Sequence, residues 1–111
     1  MENILELFKI LSDETRFRIL SLLNNQELCV CELVELMDLS QPKVSKHIAK
    51  LRQSKVVSTS RNEQFIYYSI NKNHELYDSL ISEILKNTST NKILVKDIER
   101  LQSIEGFVCN R

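Results

Sequence analysis

A change in hydrophobic spacing between residues 39 and 70 is the feature that most limits the folds open to this chain. In "LSQPKVSKHIAKLRQS", residues 39–54, apolar side chains recur every three or four positions. In "VVSTS" and "FIYYSI", residues 56–60 and 65–70, β-branched and aromatic residues follow a period of two. The first pattern is typical of an amphipathic helix and the second of strands. The segment therefore predicts a helix followed by a hairpin across "RNEQ", with Asn62 in the left-handed turn conformation.

The helix in this segment has clear boundaries and two different faces. Ser40 is a good N-cap and Pro42 falls in the first turn, so we expect a helix over about 41–53. At about 100° per residue, one face points into the core and the opposite face points to solvent. The inward residues are Val44, Ile48 and Leu51, the outward residues are Lys43, Lys46, Ala49 and Lys50, and Ser45 and His47 lie on the flanks.

The rest of the chain has the composition and spacing of a small helical domain. With one glycine, one proline and no tryptophan in 111 residues, it lacks the turn residues of a many-stranded sandwich or barrel. We expect a helix over 3–11, one from 14 that stops at Asn24-Asn25, a short one that starts in "ELCVCEL" and ends near Asp38, one along the stripe 76–85, and one over 93–104 that Gly106 ends. The N-terminus has no basic stretch followed by an apolar segment, and no apolar run approaches about 18 residues, which predicts a cytoplasmic protein.

The charges are distributed unevenly although the formal net charge is zero. No acidic residue occurs between Asp38 and Glu63. The same window holds six basic residues: Lys43, Lys46, Lys50, Arg52, Lys55 and Arg61. One face of the domain should therefore be basic and the remainder acidic, which favours a polyanionic partner over a merely solvated helix face.

The three cysteines are the candidate sites of chemistry. An odd number of cysteines in such a chain favours free thiols or metal ligands over a disulfide framework. Cys29 and Cys31 lie in "ELCVCEL", and in a regular helix their directions would differ by about 200°, so packing cannot account for both. Thiolates without a nearby histidine or carboxylate ligand favour soft, thiophilic ions.

Two short helices joined by a tight turn, the second basic and followed by a ribbon, describe a winged helix-turn-helix. The segments "LFKILSDETRFRILSLL", "ELCVCELVELMDLSQPKVSKHIAKLR" and "YYSI" resemble the ArsR/SmtB family of metal-responsive repressors, and "ELCVCEL" resembles its arsenic-sensing branch. The resemblance implies a mainly α fold, α-α-α-α-β-β-α-α, that is homodimeric. Residues 1–86 would form the DNA-binding and dimerisation domain, and 87–111 a C-terminal helix and tail of the same domain.

The resemblance also implies a function and the residues that perform it. The protein would be a repressor that binds operator DNA and leaves it when As(III) or Sb(III) binds cysteine thiolates. Cys29 and Cys31 would be ligands, with no constitutive cofactor. The family's DNA-reading helix corresponds here to Gln41, Lys43, Ser45, Lys46 and His47, with the outward Lys50 beside them, and the wing to Arg61.

Some members of the family carry a third cysteine three residues after the second, where this chain has Val34. Cys109 could supply a third sulfur from the tail, and a small cellular thiol is the alternative. Two thiolates about 200° apart cannot grip one ion, so coordination should open the first turn of their helix. The zinc- and cadmium-binding pattern of the last dimer helix is missing from 74–86, which offers only His74 and scattered carboxylates.

Three other functions remain open at this point. Oxidation or persulfidation of the cysteines could replace metalloid binding, although a disulfide within a helix would be strained. A thiol enzyme would need a suitably spaced histidine partner, which the sequence does not suggest. A winged module that binds no DNA would leave the lysine face unexplained. The apolar stripe over 76–85 exceeds what one core needs, so we interpret the surplus as a dimer seam shared with residues 3–11.

Overall fold

The computed structural model describes the backbone of residues 2–103 and the side chains from residue 4 onward. Within that range the chain forms six helices and one two-stranded antiparallel sheet, in the predicted order. The elements are α1 Glu2–Leu11, α2 Glu14–Asn25, α3 Val30–Met37, α4 Gln41–Gln53, β1 Val57–Asn62, β2 Phe65–Ile70, α5 Glu75–Asn87 and α6 Lys92–Ser103. Gly106, the predicted end of the last helix, lies outside the described residues.

Local capping signals explain why the helices begin and end where they do. The Asp13 carboxylate accepts a hydrogen bond from the Arg16 backbone N–H at 3.0 Å, and the Ser40 hydroxyl accepts one from the Lys43 N–H at 3.4 Å. Each bond satisfies a donor that the first turn of a helix leaves unpaired. Asp38 ends α3 in the left-handed conformation, with φ 53°. α4 therefore has the predicted bounds.

The hairpin is longer than predicted, and its turn uses a different residue. β1 continues through Asn62, which pairs with Phe65, so only residues 63 and 64 connect the strands. Glu63 has the positive φ, 58°, and the prediction that Asn62 would take the left-handed conformation is wrong. The ladder keeps Asn62 extended, so the first residue of the two-residue connection must reverse the chain.

The core lies between α2, α3 and α4 and is closed by the hairpin and by α5 and α6. Leu33, Leu36 and Met37 of α3 and the inward residues of α4 belong to it, as predicted. Residue Leu28, just before α3, pairs with Tyr68 of β2 through two backbone hydrogen bonds. The hairpin, which we call the wing, is thereby attached directly to the chain that leads into α3.

A buried ion pair ties α6 to α2. The Arg18 guanidinium donates from Nε and Nη2 to the two carboxylate oxygens of Asp97, at 2.8 and 2.9 Å. The side chains are 20% and 7% exposed. The hydrogen bond to Asp97 raises the pKa of Arg18 above its ordinary value. The C-terminal helix is thus anchored by a bidentate contact as well as by Leu94 and Leu101.

Removal of the Asp97 carboxylate is expected to destabilise the fold strongly. Asp97→Ala leaves the Arg18 guanidinium half-buried without its anion, which should lower the free energy of unfolding by about 2–3 kcal/mol. Lys72→Ala is the matched control because Lys72 and Asp78 form an exposed pair at 3.1 Å, whose loss should cost less than about 1 kcal/mol. Urea denaturation of the two variants measures the difference. Equal losses would contradict a stabilising role for the buried pair.

Candidate nucleic-acid interface and thiol site

The exposed side of α4 forms a continuous basic face. Lys43, Lys46 and Lys50 are exposed, and Ala49 lies exposed among them. Gln41 is exposed at the start of the helix and Ser45 is half-buried on its flank. With the opposite residues Val44, Ile48 and Leu51 buried, the helix can project only this lysine face outward. A small residue among three lysines lets the helix backbone approach another surface closely.

His47 is on the same helix but turns toward α2. Its Nδ1 lies 3.2 Å from the Arg16 guanidinium and 3.9 Å from the Asp13 carboxylate, and its side chain is 14% exposed. A guanidinium only donates, so a hydrogen bond from Arg16 requires Nδ1 to be the acceptor, as it can be in the neutral ring. Burial lowers the pKa of His47, and the charges of Arg16, Lys43 and Lys46 lower it further, although Asp13 opposes them. In this structure His47 links α4 to the start of α2.

Stability is therefore expected to depend on pH through His47. Because its folded pKa lies below the unfolded value of about 6.5, the unfolded chain binds the proton more readily. The free energy of unfolding should fall as the pH drops through about 6.5 toward the folded pKa, and should be constant, as far as His47 is concerned, above about pH 6.5. His47→Gln should flatten this slope in urea denaturation at a series of pH values. An unchanged slope in His47→Gln would contradict the assignment.

The carboxylate beside His47 titrates in a separate, more acidic window. Burial raises the pKa of Asp13, but the Arg16 backbone N–H and the charges of His47 and Arg16 outweigh it, so that the pKa lies below its ordinary value. The stability that Asp13 contributes is present above pH about 4 and is lost as the pH falls through the lowered pKa. The two groups can therefore be separated by the pH at which each acts.

The wing places one basic residue next to its tip. Arg61 of β1 is exposed and pairs with Ile66, one position before the last pair of the ladder. β1 is exposed along most of its length, whereas β2 buries Tyr67, Tyr68 and Ile70. The hairpin thus presents β1 and its arginine outward.

The two cysteines of "ELCVCEL" come together at the start of α3. Cys29 is the N-cap, with extended backbone, φ −93° and ψ 171°, and the helix begins only at Val30. The sulfur atoms of Cys29 and Cys31 lie 3.1 Å apart, farther than the roughly 2.05 Å of a disulfide bond. The premise that the thiols diverge by about 200° is wrong, because Cys29 precedes the helix. Both sulfurs can therefore face one ion while α3 stays intact.

A buried carboxylate and two aromatic rings surround this thiol pair. The Glu32 carboxylate accepts a hydrogen bond from the Cys29 backbone N–H at 3.0 Å. Cys29 packs against Tyr67 of β2. The partly buried Cys31 and Phe65 pack against these two residues. Sequence reasoning missed all three neighbours. The spacing of Glu32, three residues after an N-cap, is the signal that could have indicated its role.

The third cysteine, Cys109, lies outside the described residues. Within residues 2–103, no group of three or more His, Cys, Asp or Glu side chains is arranged to hold a metal ion. The same range contains no helix long and apolar enough to cross a membrane.

The fold and the basic helix define a class of protein: a winged helix-turn-helix transcriptional regulator. The model of the arsR family of bacterial regulatory proteins matches residues 13–59. The arsenic resistance transcriptional regulator ArsR2 of Pseudomonas putida is 39% identical over 104 residues, which cover 91% of this chain and 88% of that protein. The chain belongs to the arsR family. Its members are DNA-binding regulators, so the thiol enzyme and the module that binds no DNA are set aside.

Other relatives differ in how much of their length is matched. The arsenical resistance operon repressor of Staphylococcus aureus is 35% identical, with 84% of this chain and 88% of that protein covered. The regulator ArsR1 of P. putida is 45% identical, but only 57% of this chain and 50% of that protein are covered, so the chain spans half the length of this relative. Among solved structures, HlyU from Vibrio cholerae superposes with a TM-score of 0.73 and 28% identity, covering 80% of this chain and 95% of that one.

Proposed function

We propose that this protein is a homodimeric repressor that releases its operator DNA when As(III) or Sb(III) binds Cys29 and Cys31. The observation that carries the proposal is the 3.1 Å contact between the two sulfurs at the start of α3. This helix packs against α4 through the buried Leu33, Leu36 and Met37. A soft ion at the thiol pair is therefore close to the helix that contacts DNA.

The spacing of the sulfurs suits one soft ion. Two sulfurs about 2.3 Å from the same ion lie roughly 3.3–3.8 Å apart for angles of about 90–110° at the ion. The 3.1 Å contact needs only a small expansion to reach that range. Thiolates also have the donor softness that trivalent arsenic and antimony require. We assign the third sulfur to Cys109 of the same or the partner subunit, with a small cellular thiol as its substitute.

The basic face of α4 supports binding of DNA in the major groove. Its outward residues and the exposed Gln41 would contact base edges and phosphates, and Arg61 of the wing would contact the backbone beyond them. Ser45, on the flank, would add a hydrogen bond, whereas His47 turns toward α2 and would hold α4 in position rather than contact DNA. The operator would be an inverted repeat whose half-sites lie one helical turn apart, about 34–36 Å.

Apolar side chains left exposed on α1 and α5 support the dimer. Leu5 and Phe8 of α1 are 51% and 55% exposed, and Leu76 of α5 is 51% exposed. Leu80 and Ile84 continue the α5 stripe and are half-buried. Large apolar residues left exposed on two helices of a small domain mark surface that a second copy can cover.

Electrophoretic mobility shift with the DNA upstream of the protein's own gene tests the proposal, with sedimentation of the same sample to measure its mass. We expect a dimer that shifts the DNA and loses it when arsenite is added. DNA binding that is insensitive to arsenite would overturn the sensor assignment, and a monomer bound to a single half-site would overturn the dimer.

The sulfur contact also favours a second candidate, a redox-responsive repressor. Closing a disulfide requires the sulfurs to approach by roughly 1 Å. Because Cys29 lies before the helix, the strain expected of a disulfide within a helix does not apply. Hydrogen peroxide would oxidise the two thiols to a disulfide and be reduced to two molecules of water. Release of DNA by peroxide but not by arsenite, in an otherwise identical mobility shift, would favour this candidate.

A further inference from the structure

The thiol site adjoins the wing as well as α3. Leu28 N–H donates to the Tyr68 carbonyl at 3.1 Å, and Tyr68 N–H donates to the Leu28 carbonyl at 2.8 Å. In an antiparallel pair, the residues next to this bridge face one another, which places Cys29 opposite Tyr67. Cys29 is 3% and Tyr67 4% exposed, and they pack in one small cluster. The chain that carries the first thiol thus runs along β2 like a short third strand.

Cys29 contacts α3 through its backbone and the wing through its side chain. The Glu32 carboxylate, itself fully buried, fixes the Cys29 backbone N–H at 3.0 Å. On the wing side, the Tyr67 ring is backed by Phe65, with ring centroids 6.4 Å apart. Glu27 reaches across to β1, where its carboxylate accepts a hydrogen bond from the Ser60 hydroxyl at 3.3 Å. The Cys29 side chain therefore packs between the start of α3 and the Tyr67 ring.

An ion between the sulfurs must separate them. Their distance would grow from 3.1 Å to roughly 3.3–3.8 Å, and the ion adds its own volume beside the rings. A close-packed cluster passes such a change to its neighbours because it contains little free space. Tyr67 lies next to Ile66, the ladder partner of Arg61, so movement of β2 carries the arginine of the wing with it.

We propose that Tyr67 is a positioning residue through which the occupied thiol site moves the wing, so that Arg61 leaves its phosphate when the ion binds. The proposal rests on the function proposed above. Its coupling path leads from Cys29 through the Tyr67 ring to β2 and β1, parallel to the path through α3 and α4. The ion shifts the equilibrium only by its preference for the displaced wing.

Fluorine NMR of protein labelled with 3-fluorotyrosine tests the path. The chain contains three tyrosines, Tyr67, Tyr68 and Tyr77, and each Tyr→Phe variant assigns one resonance. On addition of arsenite, the resonance of Tyr67 should shift most and that of Tyr77, on α5, least. A shift that is largest at Tyr77, or none at Tyr67 although arsenite is bound, would overturn the proposal.

The coupling itself is measured as the ratio of DNA affinities without and with arsenite. We expect this ratio to fall from an allosteric value of about 5–150 to within about twofold in Tyr67→Ala, while Tyr67→Phe, which keeps the ring, retains it. Arsenite binding, followed by thiolate–arsenic absorbance, should persist in both variants. Tyr67→Leu serves if Tyr67→Ala does not fold.

The two proposals fail in distinguishable ways. If the wild type itself shows no response to arsenite, the proposed function is wrong. If the wild type responds and Tyr67→Ala or Tyr67→Leu responds equally, the function stands and the role of Tyr67 is wrong. Loss of arsenite binding in both Tyr67→Ala and Tyr67→Leu would also overturn the role, because the ring would then serve ligand affinity rather than coupling.

Discussion

Cys29→Ser and Cys31→Ser proteins are expected to keep operator DNA bound at arsenite concentrations that release it from the wild type. Serine is nearly isosteric with cysteine but lacks the soft sulfur donor, so the ion loses one of its sulfur ligands. Serine is also a preferred N-cap residue, so Cys29→Ser leaves the start of α3 intact. Fluorescence anisotropy of labelled operator DNA, titrated with arsenite, measures the loss of response.

Val30→Ala is the matched control for the cysteine variants. It alters the residue between the thiols, which is half-buried, and keeps both sulfurs. We expect it to release DNA with arsenite as the wild type does. If either serine variant fails to bind DNA in the absence of any effector, that cysteine is structural and its assignment as a ligand is wrong.

The triple variant Lys43→Ala, Lys46→Ala, Lys50→Ala is expected to lose most of its affinity for DNA. Each lysine that neutralises a phosphate contributes about −0.9 to the slope of log affinity against log salt concentration. A dimer that loses six such contacts should therefore show a slope flatter by about 5. All three side chains are exposed, so the fold should remain intact.

A second lysine set provides a control of equal charge. Lys86, Lys92 and Lys96 are exposed and belong to α5 and α6, not to α4. Replacing these three with alanine removes the same charge from the protein but should leave the salt slope unchanged within experimental error. Unchanged binding in the α4 variant, or equal losses in the two variants, would refute the assignment of the basic face.

The predictions for His47 and for the buried Arg18–Asp97 pair concern the stability of the fold rather than DNA or ion binding. Both concern contacts between α2 and another helix, α4 for His47 and α6 for Asp97. Neither pairing could be predicted from spacing, because each joins residues far apart in the chain. Helical spacing places His47 on the flank of its helix but does not indicate Arg16 as its partner.

Sequence alone determined the order of the eight elements, the bounds of α4 and the face on which its lysines lie. These features depend on caps, hydrophobic period and charge, which act between residues a few positions apart. Tertiary structure decided where the thiols meet. The pairing of Leu28 with Tyr68 keeps the chain extended up to Cys29, so the helix starts only at Val30 and the two sulfurs lie close together. That contact joins segments far apart in the chain that only folding brings together, so it cannot be predicted from the local pattern in "ELCVCEL".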